Sequence, residues 1–217
     1  MRVEFFLDYL SPYAYLAHKQ LKDVSTKIIY RPVDILSIMK RVNNRPTFDC
    51  PTKLQYVGVD AARCAKYLGI PFAPNHALLR AVLEGHLQGS LLAHAALAAQ
   101  EMGVFDSINR ALFDAMWAGD DDLASEKGRE LFLRGHPLEV ADLWRMARSE
   151  AVQDRMAEEC QAAAGRGVFG VPTLCVNDEM FFGHDRMDFV RRALAPSDQE
   201  AGNQISRARE HLVRGAK

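Results

Sequence analysis

Cysteine is scarce in this chain, and its placement excludes more than its number. The four cysteines are Cys50, Cys64, Cys160 and Cys175 among 217 residues, and no two form a C-x-x-C pair. Dithiol exchange needs two thiols at one helix end, so that chemistry is not expected. So little cysteine in so long a chain also argues against a disulfide scaffold. Reduced, mostly buried thiols in a cytoplasm are expected instead. The seven histidines stand in no metal-ligand spacing with cysteine or carboxylate, so no metal is expected. An excess of one charge is lacking too, since 27 Lys and Arg face 28 Asp and Glu. Neither nucleic acid nor an acidic membrane surface is expected as a partner. No apolar run is long enough to span a bilayer. The first residues enter a strand with no basic n-region, so no signal peptide is expected either.

What is present is globular: 48% apolar and 25% charged residues, enough for a sizeable core. Residues 3–7 read as a strand apolar on both faces. Residues 12–26 read as a helix with Ala14, Ala17, Leu21 and Val24 on one side. Residues 28–33 are a second strand, with Pro32 near its end. This β-α-β unit predicts a parallel pair with a right-handed crossover. From Ile35 to about Leu143 the strand signal vanishes. Helices are expected over 53–68, with Leu54, Val57, Ala61, Cys64 and Leu68 as a stripe. Others are expected over 75–87 and 90–102, and one capped or interrupted by Ser107 that ends near Trp117. Residues 124–134, 137–148 and 150–164 complete the helical set. Strand signal returns at 170–177 and 179–183, joined by an Asn177-Asp178 turn as a hairpin. Asp185 heads a last helix through Leu194.

That order is the thioredoxin order with a helical insertion. The fold class expected is α/β, thioredoxin-like with a large all-helical insertion of the DsbA or kappa type. Residues 1–36 and 149–195 would form the thioredoxin-like domain and 37–148 the insertion. The polar tail, 196–217, reads as a surface helix or partly disordered.

Three places converge in such a layout. Ser11-Pro12 opens the first helix, where Ser11 is either an ordinary N-cap or a hydroxyl that hydrogen-bonds a thiolate from another molecule. Ser11-Pro12-Tyr13-Ala14 has no cysteine, and no histidine lies nearby in sequence to make Ser11 a nucleophile. Val171-Pro172 is either a plain strand start or a cis peptide exposing the Val171 main chain to a peptide-like ligand. Gly183-His184-Asp185 is either a hairpin exit with an Asp cap or a helix N-terminus that receives a carboxylate. Lys40, Asn44 and Arg45, in a turn after the second strand, are solvated surface or a polar wall for a substrate carboxylate. Tyr9, Tyr13 and Phe48 suit the core or the walls of a site.

These residues carry a resemblance. Phe5-x-x-Asp8-Tyr9-x-Ser11-Pro12-Tyr13-x-Tyr15-Leu16 resembles the opening of the 2-hydroxychromene-2-carboxylate isomerases. They are relatives of the kappa-class glutathione transferases in the DsbA-like branch of the thioredoxin superfamily. Met39-Lys40, Asn44-Arg45-Pro46 and Pro51-x-Lys53 look like the family's segment after the second strand. Gly69-Ile70-Pro71 with Pro74-Asn75 fits its insert. Val168-Phe169-Gly170-Val171-Pro172-Thr173 and Phe182-Gly183-His184-Asp185-Arg186 are similar to its glutathione-binding half. The match spans about residues 1–194. It implies glutathione as cofactor, with its thiol at Ser11 and its cysteinyl main chain against Val171, before a cis Pro172. The γ-glutamyl end would lie at Gly183, His184 and Asp185, with Asn44 near glutathione and Lys40 near the organic acid. The implied reaction is cis–trans isomerisation of a 2-hydroxychromene-2-carboxylate-type aromatic acid, and relatives suggest a homodimer. A kappa-like transferase releasing a conjugate, and a non-catalytic thiol-binding module, remain the alternatives.

Overall fold

The computed structural model describes residues 2–136 and 141–195. Strand β1 (Val3–Leu7) is buried along its whole length, so its apolar run has a covering layer on each face. Helix α1 (Pro12–Leu21) follows with Pro12 in its first turn, where the missing N–H costs nothing. It ends five residues short of the helix read from the sequence. Strand β2 (Ile28–Pro32) pairs parallel to β1, with Phe5 beside Tyr30. Strands β3 (Thr173–Val176) and β4 (Glu179–Phe182) form the hairpin. β3 lies antiparallel to β1 on the side away from β2, which gives the order β2-β1-β3-β4.

Between the two halves of the sheet runs the helical region. Helix α2 (Ile35–Arg41) is capped by Asp34, whose side chain accepts from Leu36 N–H and Ser37 N–H. A short 3₁₀ turn (Thr47–Asp49) precedes α3 (Pro51–Leu68). Then come α4 (His76–Leu83), α5 (Leu91–Glu101), α6 (Phe105–Trp117), α7 (Glu126–Arg134), α8 (Leu143–Ala147) and α9 (Glu150–Gly165). A second 3₁₀ turn (His184–Arg186) leads into α10 (Met187–Leu194). Asn75, Ser125 and Ser149 cap α4, α7 and α9 through their side chains. Ser107 lies inside α6 and leaves the cap position to Val104. The start of the helix expected at 137–148, and the tail 196–217, lie outside the described residues.

α5 is buried from Leu91 to Ala99 on every side, as a helix apolar all round must be. It packs on α6, α8, α9 and β2. Phe5, Tyr30, His18, Phe105 and Phe113 meet ring to ring between α1, α6 and one sheet face. The other face carries Glu4 and Phe6 beneath α9 and Arg166. One contiguous core contains residues of both the sheet and the helical region. α3 is the exception: only Ala61 and Ala65 are buried, and Leu54, expected on its inner stripe, is 44% exposed.

Candidate functional site

The site forms where the β1–α1 turn meets the turn before β3. The first turn is fixed from several directions. Trp117 Nε1 donates to Tyr9 O at 2.8 Å, Leu10 N–H donates to Asp8 Oδ1 at 2.9 Å, and Ser11 N–H donates to Asp8 O at 3.1 Å. Tyr9 is fully buried and its hydroxyl donates to Asn109 Oδ1 at 2.7 Å. Tyr9 is therefore core and no wall of the site.

Ser11 caps its helix and also reaches the cis-proline loop. As the N-cap, its Oγ accepts from Ala14 N–H at 3.2 Å. The same hydroxyl donates to Val171 O at 3.4 Å, 160 residues away in sequence. That contact is at the long limit of a hydrogen bond, so a better acceptor can displace it. Tyr13 N–H, on the helix's first turn, has no partner among the described residues.

Val171-Pro172 is a cis peptide bond. Val171 is half-buried, and its N–H makes no hydrogen bond among the described residues. Its main chain thus presents a free donor beside Ser11 and an acceptor held only by the Ser11 hydroxyl. Gly170, just before it, lies against the Phe182 ring; a Cβ there would stand 2.6 Å from a ring carbon. Pro172 O accepts from Gly183 N–H at 2.9 Å, which hangs the third segment from the second.

Gly183 adopts φ +115°, a conformation that favours glycine, with the Asp185 carboxylate folded against it. His184 stacks on Tyr13, ring centroids 5.1 Å apart and planes 1° from parallel. Its Nδ1 is buried without a hydrogen-bond partner among the described residues. Burial holds the His184 imidazole below the usual histidine range, against the pull of Asp185 and Asp60. A buried polar atom without a partner is costly in a native fold and calls for a ligand or a solvent molecule. Asp185 is exposed and pairs with Arg186 at 2.9 Å.

The polar residues after β2 divide. Lys40 lies on α2, not in the turn, and is exposed, as are Asn44 and Arg45. Asn44 is already engaged: its Nδ2 donates to Phe169 O at 2.9 Å, two residues before Val171, and its Oδ1 accepts from Arg45 N–H. Its side chain ties the post-β2 loop to the cis-proline loop. Phe48 is 43% exposed and belongs to no core layer.

Sequence reasoning missed Asp60 on α3. It accepts from Tyr13 Oη at 2.9 Å, Tyr56 Oη at 3.2 Å and Arg63 at 3.0 Å. The Tyr13 bond leads in holding the Asp60 carboxyl below its usual range. Tyr13, in turn, is pushed above the usual phenol range by burial and by Asp60. Asp60 sits among surface charges, and only its fold-level approach to Tyr13 marks it. Two clefts lie elsewhere. One, of about 410 Å³, is lined by Phe6, Arg31, Arg166 and residues of α9. The other, of about 200 Å³, is lined by Asp34, His94, Cys160 and polar neighbours. Neither is lined by Ser11, Val171 or Gly183.

The chemistry available is anion binding without an in-built nucleophile. A hydroxyl at a helix N-terminus lies beside a free main-chain donor at Val171, and the Gly183 turn, hung from Pro172 O, sets His184 against Tyr13.

Comparison with known proteins identifies the family of the chain. Residues 2–195 match the model of the DSBA-like thioredoxin domain. A 2-hydroxychromene-2-carboxylate isomerase of Pseudomonas putida is 30% identical over 202 residues, covering 89% of this chain and 94% of the other. The human glutathione S-transferase kappa 1 is 28% identical over 214 residues, covering 88% and 90%. A solved structure of a 2-hydroxychromene-2-carboxylate isomerase superposes with a TM-score of 0.71 at 26% identity, covering 98% and 99%.

Proposed function

The chain belongs to the DSBA-like thioredoxin domain family and, within it, to the 2-hydroxychromene-2-carboxylate isomerase family; from that premise we propose that it is a glutathione-dependent isomerase of aromatic catabolic acids of this type. The observation that carries the reading is the meeting of Ser11 Oγ with the Val171 main chain before a cis proline. A helix start without cysteine cannot supply its own thiol. Glutathione, when bound, supplies a thiolate that adds reversibly to a conjugated double bond, so that a single bond can rotate before the thiolate leaves.

The protein's own part is to hold, orient and desolvate. Ser11 Oγ turns its hydrogen from Val171 O to the sulfur, and the α1 N-terminus adds partial positive charge there. Val171 then offers its N–H and its freed C=O to the cysteinyl main chain, as one more short strand pairing. Gly183, His184 and Asp185 hold the γ-glutamyl end, with His184 Nδ1 gaining the partner it lacks. Asn44 keeps the two loops in register through Phe169 O. Lys40 and Arg45, exposed near that loop, supply the cations for the acid's carboxylate. Pro172 shapes the turn. A neighbouring carboxylate anchored at Asp8 works against thiolate formation, so the hydrogen-bond donors must outweigh it.

The direct test mixes 2-hydroxychromene-2-carboxylate with the protein, with and without glutathione, and follows the open-chain isomer. Conversion at unchanged product mass, only with glutathione, is expected. Equal turnover without glutathione overturns the cofactor assignment, and a mass gain of one glutathione means a transferase. Ser11→Ala should keep the fold and lose about 10²-fold in turnover, if one thiolate hydrogen bond contributes ~2–3 kcal/mol. An unchanged rate would leave the hydroxyl with only its capping role.

We further propose the division into a thioredoxin-like domain (1–36, 149–195) and an insertion (37–148), a cytoplasmic location consistent with four free cysteines, and a homodimer. No described helix is long and apolar enough to cross a membrane. The dimer is what the family resemblance implies, and α3, whose outward stripe carries Tyr56, Val59 and Tyr67, the last 89% exposed, offers an apolar surface for it. Sedimentation equilibrium should give twice the chain mass, and Tyr67→Asp should lower the association.

A further inference from the structure

Asp8 is the residue to which the site's separate loops return. Its carboxylate lies at the end of β1 with only 1% of the residue exposed. One oxygen accepts Leu10 N–H and the other accepts Ile35 N–H, both at 2.9 Å. Leu10 directly precedes Ser11, whose own N–H donates to Asp8 O. Ile35 is the first residue of α2, the helix that carries Lys40 and leads to Asn44. Asn44 in turn reaches Phe169 O beside the cis-proline loop. A single buried carboxylate therefore joins the turn that directly follows it to a main-chain segment 27 residues further on.

We infer that Asp8 is the positioning residue of the thiol site, its two oxygens holding the Ser11 turn and the start of α2 in one register. The inference rests on the reading of Ser11 as the sulfur seat. Asp8 touches neither a thiol nor an organic acid; it acts through Leu10, Ser11 and Ile35.

Protonation of Asp8 then has two consequences. One of its oxygens gains a hydrogen and becomes a poor acceptor, so one of the two anchoring N–H groups loses its partner. The negative charge behind Ser11 also disappears, which favours an anion in front of it. Both act on the same site, so proton uptake at Asp8 and thiol binding are coupled. The groups facing Asp8 do not supply a cation. Asp34 at the α2 cap adds a like charge, Cys160 approaches from α9, and Tyr9 is the adjacent buried phenol. His94 on α5 feels the charge of Asp34, but burial keeps its imidazole below the usual range. Burial, the leading cause, raises Asp8 to about 7 against the two N–H bonds that lower it. The coupling therefore falls in the range where thiol enzymes are assayed.

The test begins with the unaltered protein. Carboxyl carbon-13 and amide nitrogen-15 resonances of Asp8, Leu10, Ser11 and Ile35 are followed from pH 5 to 9. One shared midpoint near neutrality is expected. An Asp8 midpoint near 4, or amides of Leu10 and Ile35 that do not follow Asp8, overturns the inference. Glutathione affinity, measured calorimetrically over the same range, should bend at that midpoint by about five- to tenfold. In Asp8→Asn the bend should vanish while the protein stays folded, and the Leu10 or Ile35 amide should exchange faster by about tenfold. Affinity that bends identically in Asp8→Asn also overturns it. If glutathione does not bind the unaltered protein at all, the Ser11 reading fails, and the resonance titration still decides whether Asp8 couples the two segments.

Discussion

Strand β1 has a buried carboxylate near its start and another follows just past its end, and the two are treated in opposite ways. Glu4 and Asp8 are both almost fully buried, at 2% and 1% exposure. At Glu4, burial pushes the pKa up, but hydrogen bonds and charge from Arg166 and Arg31 outweigh it and hold the carboxyl below its usual range. One oxygen meets Arg31 and the other meets Arg166, each at 2.9 Å. At Asp8, burial wins: two main-chain N–H groups and a like charge at Asp34 face it, and the carboxyl rises to about 7. The paired end lies under α9, away from the candidate site, and the unpaired end lies behind Ser11. The difference teaches where this fold tolerates an uncompensated buried charge. It does so where two main-chain N–H groups hold the carboxylate and no cation reaches it.

The most severe way to break the comparison is to make Glu4 resemble Asp8. Arg31 and Arg166 are 36% and 40% exposed, while the Glu4 side chain is 3% exposed. Removing both cations therefore strands the carboxylate, not the guanidiniums. Arg31→Met combined with Arg166→Met should cost about 3–5 kcal/mol at pH 8. With only burial acting on it, the Glu4 pKa then lies above the unfolded value. Stability is thus full below that value and is lost as pH rises, so most of the cost should return at pH 4. Denaturant titrations at the two pH values check this; a loss that is equal at both would mean Glu4 finds another partner.

Asp8→Asn tests the other end. The folded pKa of Asp8, about 7, stands above the unfolded value, so the unaltered protein loses stability as pH rises from 4 through 7. The variant lacks that loss. Its stability relative to the parent should therefore climb by on the order of 2–4 kcal/mol between pH 4 and 8, even if it starts lower through one lost N–H bond. A relative stability that stays flat would mean Asp8 is ionised throughout.

His18 sharpens the rule by reversing its sign. It is packed against Phe113 and Tyr30, with Tyr30 Oη 3.3 Å from Nδ1, and burial lowers its pKa to about 4. The folded protein then holds fewer protons than the unfolded chain between pH 6.5 and 4. Stability present above 6.5 is lost as pH falls, and His18→Phe should flatten that slope by ~1–3 kcal/mol. Melting temperatures at pH 7.5 and 4.5 measure it.

Much of this architecture can be read from residue order. The nearly all-apolar β1, the Ser11-Pro12 start, the Asn177-Asp178 turn and the Asn75 cap each carry their own local signal, and each element appears where that signal stands. Periodicity failed where packing overrode it. α2 is a seven-residue helix whose capping residue, Asp34, follows directly on a strand end, and the run was too short to show a repeat. α3 shows a helical stripe, yet little packs on it, because a stripe says which residues share a side and not whether another element arrives there. α1 stops at Leu21, before Val24.

The site divides along the same line. Sequence alone determined that no thiol stands at the first helix start, that Ser11 caps it, and that Val171-Pro172 and Gly183–Asp185 flank the late hairpin. These are facts about neighbours along the chain, which local propensity and turn chemistry govern. Only the tertiary structure decided that Ser11 Oγ meets Val171 O, that Asn44 is used up on Phe169 O, that Tyr13 is shared between Asp60 and His184, and that Asp8 has no cation while Glu4 has two. Each of these links residues far apart in sequence, and the energy of a buried polar group depends on what the fold brings against it. Two carboxylates four positions apart, one on β1 and one just past its end, look alike in the sequence; their surroundings make one a paired anchor of the sheet and the other an unpaired strut behind the site.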